Sequence, residues 1–301
     1  MKKIIKVILV TTLLLPVSPA IAADTPPVIA IIDTGTNADL FPGSILTEAC
    51  IVSSYTCPNG KLTMEGPGAA NLPATKNKDL NHGTQLISIM LRVNPAAKII
   101  PIRIVPVNRN GLPGLYSLED VKAALDWVIA NRVKYNIAVV SLAQGKVFAN
   151  CKVPAGMAEQ ITSLKKVDVP VVAAVGNDGN HTAVNSPACL AETVAVGATD
   201  NPHPGVAGIT YDEKAAPYIA RYSNGAQGQT DLFLNARWNV KQLDGSTKFT
   251  VGTSNATAAM SAYWILNRKA TFDETFSSIL AVTTDAKNEF ISGKYIFIPS
   301  A

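Results

Sequence analysis

The segment VIAIIDTGTN, residues 28–37, decides how the rest of the chain is read. Five apolar residues, Val28 to Ile32, run straight into Asp33-Thr34-Gly35. An uninterrupted apolar run of this length suits a strand buried on both faces, and the polar tripeptide then marks the strand's carboxyl end. An aspartate so placed serves either of two chemistries. It can share a proton with a second carboxylate, or it can stand as a fixed anion behind a histidine. The first needs a partner aspartate; the second needs a histidine and a nucleophile.

Similar apolar runs recur at Ile99–Val105, Ala138–Leu142, Val171–Val175 and Thr193–Val196. Helical patterns separate them. In SLEDVKAALDWVIANR, residues 117–132, Leu118, Val121, Leu125, Val128 and Ile129 fall on one face, and Ser117 with Asp120 forms a capping box that fixes the helix start. A second helix is expected in GMAEQITSLKK, residues 156–166. Strand and helix in alternation predict an α/β fold, with a mainly parallel central sheet between two helical layers. NRNGLPG (108–114) and TDNPHPG (199–205) read as surface turns, and no repeat or low-complexity tract divides the chain. Ligands of such sheets bind beyond the carboxyl ends of the strands. Asp33 and Asn177 both fall at such ends.

The amino terminus is a different kind of sequence. MKKIIKVILVTTLLLPVSPAIAAD has three early lysines, a short apolar stretch and Ala20 and Ala22 at A-x-A spacing, which describes an export signal cleaved after Ala22. Residues 1–22 are therefore assigned to the signal and 23–301 to one domain, in a protein expected to be secreted or periplasmic. Removing Lys2, Lys3 and Lys6 lowers the formal charge from +4 to +1. That leaves no basic surface for nucleic acid. Past the signal no run of 18 uncharged apolar residues suggests a membrane span. Four cysteines in an exported chain permit three disulfide pairings. Cys50 and Cys57 flank only IVSSYT, which favours local pairing and leaves Cys151 for Cys189; free buried thiols are the alternative. Each bridge contributes about 2–4 kcal/mol. No Cys/His spacing matches a zinc site.

Asp-Thr-Gly occurs once, and the Asp244-Gly245 pair follows no apolar run, so a proton-sharing dyad lacks its second half. The helical content counts against it too. Of three histidines, His181 in GNDGNHTAV and His203 in DNPHPGV read as exposed turn residues. His82 differs. In LNHGTQLISIML it precedes Leu86, Ile87, Ile89 and Met90 at helical spacing, so it stands at or just before a helix N-terminus. The nucleophile candidate is Ser254 in FTVGTSNATAAMSAYWI, where Gly252 permits a sharp turn and good helix formers follow. There the hydroxyl and backbone N–H would meet at the positive end of a helix dipole. A plain N-cap serine is the alternative.

IIDTGTN, NHGTQLISIM and GTSNATAAM, with VVAAVGNDGN between the last two, resemble in order the signatures of the subtilisin-like serine proteases, the subtilases of peptidase family S8. Weaker likeness covers VVSLAQG, PACLAETVAVGATD and RYSNG. The resemblance implies a subtilisin-like three-layer α/β/α fold and a secreted endopeptidase acting on protein or peptide substrates. It gives Ser254 the role of nucleophile, His82 of general base and acid, Asp33 of orienting anion and Asn177 of oxyanion donor. Ser141, Leu142 and Ala143 would form one wall of the specificity pocket, and Ala173, Ala174, Val175 and Gly176 the other. These small or apolar walls imply apolar or aromatic side chains before the scissile bond, or a basic one drawn by Asp178 at the rim. A chain that keeps the fold but binds peptides without turnover is the competing reading. Catalysis of this kind requires no cofactor; calcium often stabilises the family, but the sequence assigns it no ligands.

Departures from the family pattern are Asn81 before the histidine, Gln85, Asn255 after the serine, and Ala258 in place of a proline. Only residues 23–27 lie between the signal and the first strand, where the family usually carries an inhibitory pro-segment. Folding without that template, or with a separate folding helper, is the expectation.

Overall fold

Val28–Asp33 forms strand β1, buried along its whole length. The computed structural model describes residues 26–72, 77–202, 217–226 and 228–299; residues 1–22, expected to be an export signal, and His203 lie outside the described residues. Four further strands cover expected runs: β4 (Lys98–Arg103), β5 (Ile137–Leu142), β6 (Val171–Ala174) and β7 (Val194–Pro202). β7 continues beyond Val196, so Thr199–Pro202, expected in a surface turn, is strand paired with β8. These five stand side by side as β7-β6-β5-β1-β4, all parallel. More polar strands, all but β8 of them short, extend the sheet at its flanks. They are β2 (Ala49–Ile51) and β3 (Thr63–Glu65) beside β4, and β8 (Leu232–Lys241), β11 (Ser292–Ile296) and β10 (Thr284–Lys287) beyond β7. β9 (Thr247–Thr250) pairs with β8 as a hairpin through Asp244-Gly245. Among the described strands, antiparallel ladders are those of β3 with β2, β9 with β8 and β10 with β11.

Successive residues of a strand face opposite sides, so each run feeds two cores. Ile29 and Ile31 point to the side covered by α1 (His82–Val93), α4 (Thr253–Asn267) and α5 (Phe272–Leu280). Val28, Ala30 and Ile32 meet Val121, Leu125 and Val128 of α2 (Leu118–Asn131) and Ile161 and Leu164 of α3 (Met157–Lys165). This is the three-layer α/β/α arrangement. The capping box of α2 is present: Ser117 N–H donates to Asp120 Oδ2 at 2.7 Å, and Asp120 N–H donates back to Ser117 Oγ at 3.3 Å.

α4 is unusual in being buried on nearly every side, from Thr253 to Ala262 and again at Trp264. A helix surrounded by protein must be apolar or satisfy its polar groups internally. Ala256, Ala258, Ala259 and Ala262 let it approach its neighbours closely, while Thr257 and Ser261 donate to the carbonyls one turn back at 2.9 and 2.8 Å. Both cysteine pairs are bridged, with Cα separations of 5.9 Å for Cys50–Cys57 and 5.7 Å for Cys151–Cys189. The second bridge ties the segment after β5 to the loop before β7. Among the described residues no helix is long and apolar enough to cross a membrane.

Candidate active site

Asp33 closes β1 and His82 opens α1, and the two motifs around them interlock. Thr34 Oγ1 donates to the Leu80 carbonyl at 3.2 Å and accepts from Gly83 N–H at 2.9 Å. The Thr36 and Thr84 hydroxyls meet at 3.0 Å. Gly83 lies so close to Gly35 that a β-carbon there would stand 2.2 Å from the Gly35 carbonyl oxygen. The residues flanking Asp33 and His82 are thus the seat on which the helix rests. That seat brings His82 Nδ1 to 2.8 and 2.9 Å from the two carboxylate oxygens of Asp33.

Asp33 is 2 % exposed. Burial alone would raise its carboxyl, but the charge of His82 and hydrogen bonds from His82, Thr34 N–H and Gln144 outweigh it and hold it below the usual value. For His82 burial acts downward, yet the Asp33 charge and hydrogen bond prevail and hold the imidazole above its ordinary value. Asp33 is therefore an anion, and among the described residues its side-chain partners are His82 and Gln144, not a second carboxylate. Asp244 sits in the exposed β8–β9 turn, where its Oδ1 accepts from Ser246 N–H at 2.9 Å. Among the described residues Asp33 has no dyad partner. His181 is elsewhere, stacked 4.1 Å from the Phe290 ring.

Ser254 occupies the first turn of α4 and is 8 % exposed. Its helix starts at Gly252, whose φ of +152° suits a residue without a β-carbon. First-turn N–H groups have no partner within their helix. That of Thr253 is taken by Asn177 Oδ1 at 2.9 Å, with the Thr253 hydroxyl adding a bond at 3.1 Å. Because a backbone N–H can only donate, the atom facing it must be the amide oxygen, which leaves the Nδ2 donor of Asn177, a residue lining the cavity at Ser254, unengaged by Thr253. Asn177 lies three residues past the end of β6, in a loop clamped by the fully buried Asn224. Asn224 Oδ1 accepts from the N–H groups of Asp178 and Asn180, both at 2.9 Å, and its Nδ2 donates to the Val175 carbonyl and Asp178 Oδ2. Among the described residues no hydrogen bond joins Ser254 to His82; such contacts tighten in many enzymes only once substrate is bound.

Two adjoining cavities flank the segment Ala143–Lys146. One, of about 380 Å³, contains Ser254, Asn177, Ala174 and Gly176. The other, of about 550 Å³, contains His82, Leu80, Val105, Leu118 and Phe148. Of the expected wall residues, Ala143, Ala174 and Gly176 line the cavity at Ser254. Ser141, Leu142, Ala173 and Val175 are buried in the sheet or just beyond it, and the Ser141 hydroxyl has no partner there. The wall runs instead through Gln144, Gly145 and Lys146, with Asn185 packed against Gly145. That lining is mostly polar; the apolar character expected beside Ser254 is found in the neighbouring cavity. Tyr116 borders both, its phenol pushed up to about 12 by burial and the nearby Asp33 charge.

The departures noted in the sequence have structural employment. Asn81 Oδ1 accepts from Leu243 N–H at 2.7 Å, and Gln85 Nε2 donates to Gln242 Oε1 at 3.1 Å, tying the His82 helix to the β8–β9 hairpin. Asn255 is buried, donating to the Ala236 carbonyl and Thr250 Oγ1. Gln144 and Asn224 are the residues that sequence reasoning missed. Each lies within or just past a quoted stretch, VVSLAQG and RYSNG, but nothing in composition or spacing marks its role. Among the described residues no group of three or more His, Cys, Asp or Glu side chains could hold a metal ion.

The model of the subtilase family matches residues 24–278. The minor extracellular protease Epr of Bacillus subtilis (strain 168) is 27 % identical over 164 residues, which is 51 % of this chain but 23 % of that protein's length. Among solved structures, proteases from Pseudoalteromonas arctica superpose with a TM-score of 0.65 at 18 % identity, over 91 % of this chain and 88 % of theirs. The prenylagaramide maturation protease PagA gives 0.61 at 18 % identity, over 89 % and 87 %.

Proposed function

We propose, from the premise that the chain belongs to the subtilase family, that it is an exported serine endopeptidase. Ser254 Oγ attacks the scissile carbonyl, and His82 takes its proton and returns it to the leaving amine. Asp33 stays ionised, fixing the tautomer with the proton on Nδ1 and stabilising the imidazolium. Asn177 Nδ2 and the Ser254 N–H receive the negative charge that develops on the carbonyl oxygen. The observation that carries this reading is the two-oxygen contact of His82 Nδ1 with a buried, anionic Asp33. Binding without turnover would not require that investment of a buried charge pair.

Export is supported by the signal-like residues 1–22 and by two disulfides, which persist in oxidising compartments. The two cavities fit an extended peptide, with a polar side chain beside Ser254 and a bulky apolar one in the larger cavity beside His82. The proposed chemistry uses no cofactor. Incubating wild type and Ser254→Ala with casein and sequencing the products tests the whole reading. Wild type should cut after polar residues with an apolar residue upstream, and Ser254→Ala should not cut. Equal cleavage by both proteins would refute the assignment.

A further inference from the structure

The acid–base pair has a third member. Gln144 Nε2 donates to Asp33 Oδ2 at 2.9 Å and lies 3.3 Å from His82 Nδ1. Asp33 Oδ1 is bound by Thr34 N–H at 2.7 Å, so Gln144 completes a set of donors around the carboxylate. The side chain comes from neither β1 nor α1, but from the segment that divides the two cavities and borders both. We infer that Gln144 is a positioning residue, holding the Asp33 carboxylate against His82 and competing with the imidazole for its negative charge. The inference rests on the catalytic roles proposed above for Asp33 and His82.

Two effects of Gln144 act in one direction. Its N–H draws charge from Oδ2, weakening the pull of Asp33 on an imidazolium. The positive end of the same dipole also faces Nδ1. Removing the amide should therefore make His82 hold its proton to higher pH. The other ionisable groups around the pair are Arg103, beside Asp33 on β4, then Tyr116 ahead of α2, Asp79 ahead of α1, and Lys146. The guanidinium of Arg103 is engaged by the carbonyls of Val105, Asn71 and Thr56. The first turn of α4 contributes only Thr253, Ser254 and Asn255, which do not titrate here.

The test uses Gln144→Met, which keeps length without a donor, and Gln144→Glu, which adds a charge beside Asp33. Steady-state kinetics across pH is paired with an NMR titration of His82, which does not need turnover. Gln144→Met should lower kcat on the order of tenfold, the equivalent of one hydrogen bond to a charged group, with KM little changed. Its acid limb and its His82 titration should both move upward, and further still in Gln144→Glu. Thermal denaturation identifies a variant that has merely lost its fold, in which case the other carries the test. A His82 titration unchanged in a folded variant, or an effect confined to KM, overturns the inference and leaves Gln144 as wall alone. Absence of Ser254-dependent turnover in wild type would instead refute the proposed function.

Discussion

At the scale of single residues, hydrogen bonds orient Asp33, His82 and Asn177. For Asn177, Thr253 fixes the oxygen and leaves the Nδ2 donor for the proposed oxyanion. Asn177→Ala should lower kcat by ~10²–10³, roughly 3–4 kcal/mol, while leaving KM nearly unchanged; a wild-type kcat would remove it from the oxyanion role. The Asp33–His82 pair sets the pH dependence. With the imidazole held above its ordinary value, His82 is protonated, and useless as a base, to higher pH than a free histidine. The acid limb of kcat/KM should therefore have its midpoint above about 6.5, and a midpoint at or below that value would contradict the pairing. For stability the two signs differ. The Asp33 contribution is present above the ordinary carboxylate value and is lost as pH falls through its lowered one. The His82 contribution is present below the ordinary imidazole value and is lost as pH rises through its raised one. Asp33, His82 and Ser254 were legible as candidates because each sits in a motif at an element's end, and Asn177 because its motif follows an apolar strand. Gln144 was not, since a glutamine after a buried strand carries no pattern until tertiary structure aims it.

At the scale of elements, catalytic geometry depends on how closely α1 is seated on the end of β1. Thr34 holds two points of the turn into α1, and the absence of side chains at Gly35 and Gly83 allows the approach. A methyl group at Gly83 would meet backbone, which cannot rotate out of the way. Gly83→Ala should therefore cost about 1–3 kcal/mol of stability and abolish most turnover by displacing His82. Retention of wild-type melting temperature and kcat would show that the contact is not limiting. The motif residues around Asp33 and His82 thus have a physical reason beyond chemistry. A similar division explains which helices could be read in advance. α2 has one apolar face and a capping box, so periodicity and cap agree. α4 has no single apolar face because it is surrounded, and only its small residues hint at that.

At the scale of the molecule, the five strands readable as apolar runs prove to be the centre of the sheet, where both faces are covered by helices. The flanks were illegible for a related reason. β8 interleaves Asn235, Arg237 and Asn239 with its apolar residues, and β10 is largely exposed, so neither gives an unbroken run. Sheet order then does what no local pattern states. It places β1, β5 and β6 side by side, so that Asp33, the Gln144 segment and Asn177 emerge along one edge, facing α1 and α4. The central claim is that this convergence makes Ser254 a nucleophile. It is tested most directly by treating folded protein at neutral pH with a serine-reactive phosphonate and locating the adduct by mass spectrometry. The account predicts one adduct per chain on the peptide containing Ser254, absent from a Ser254→Ala variant of unchanged melting temperature. Folded wild type that stays unlabelled, or a label that persists in Ser254→Ala, would contradict it.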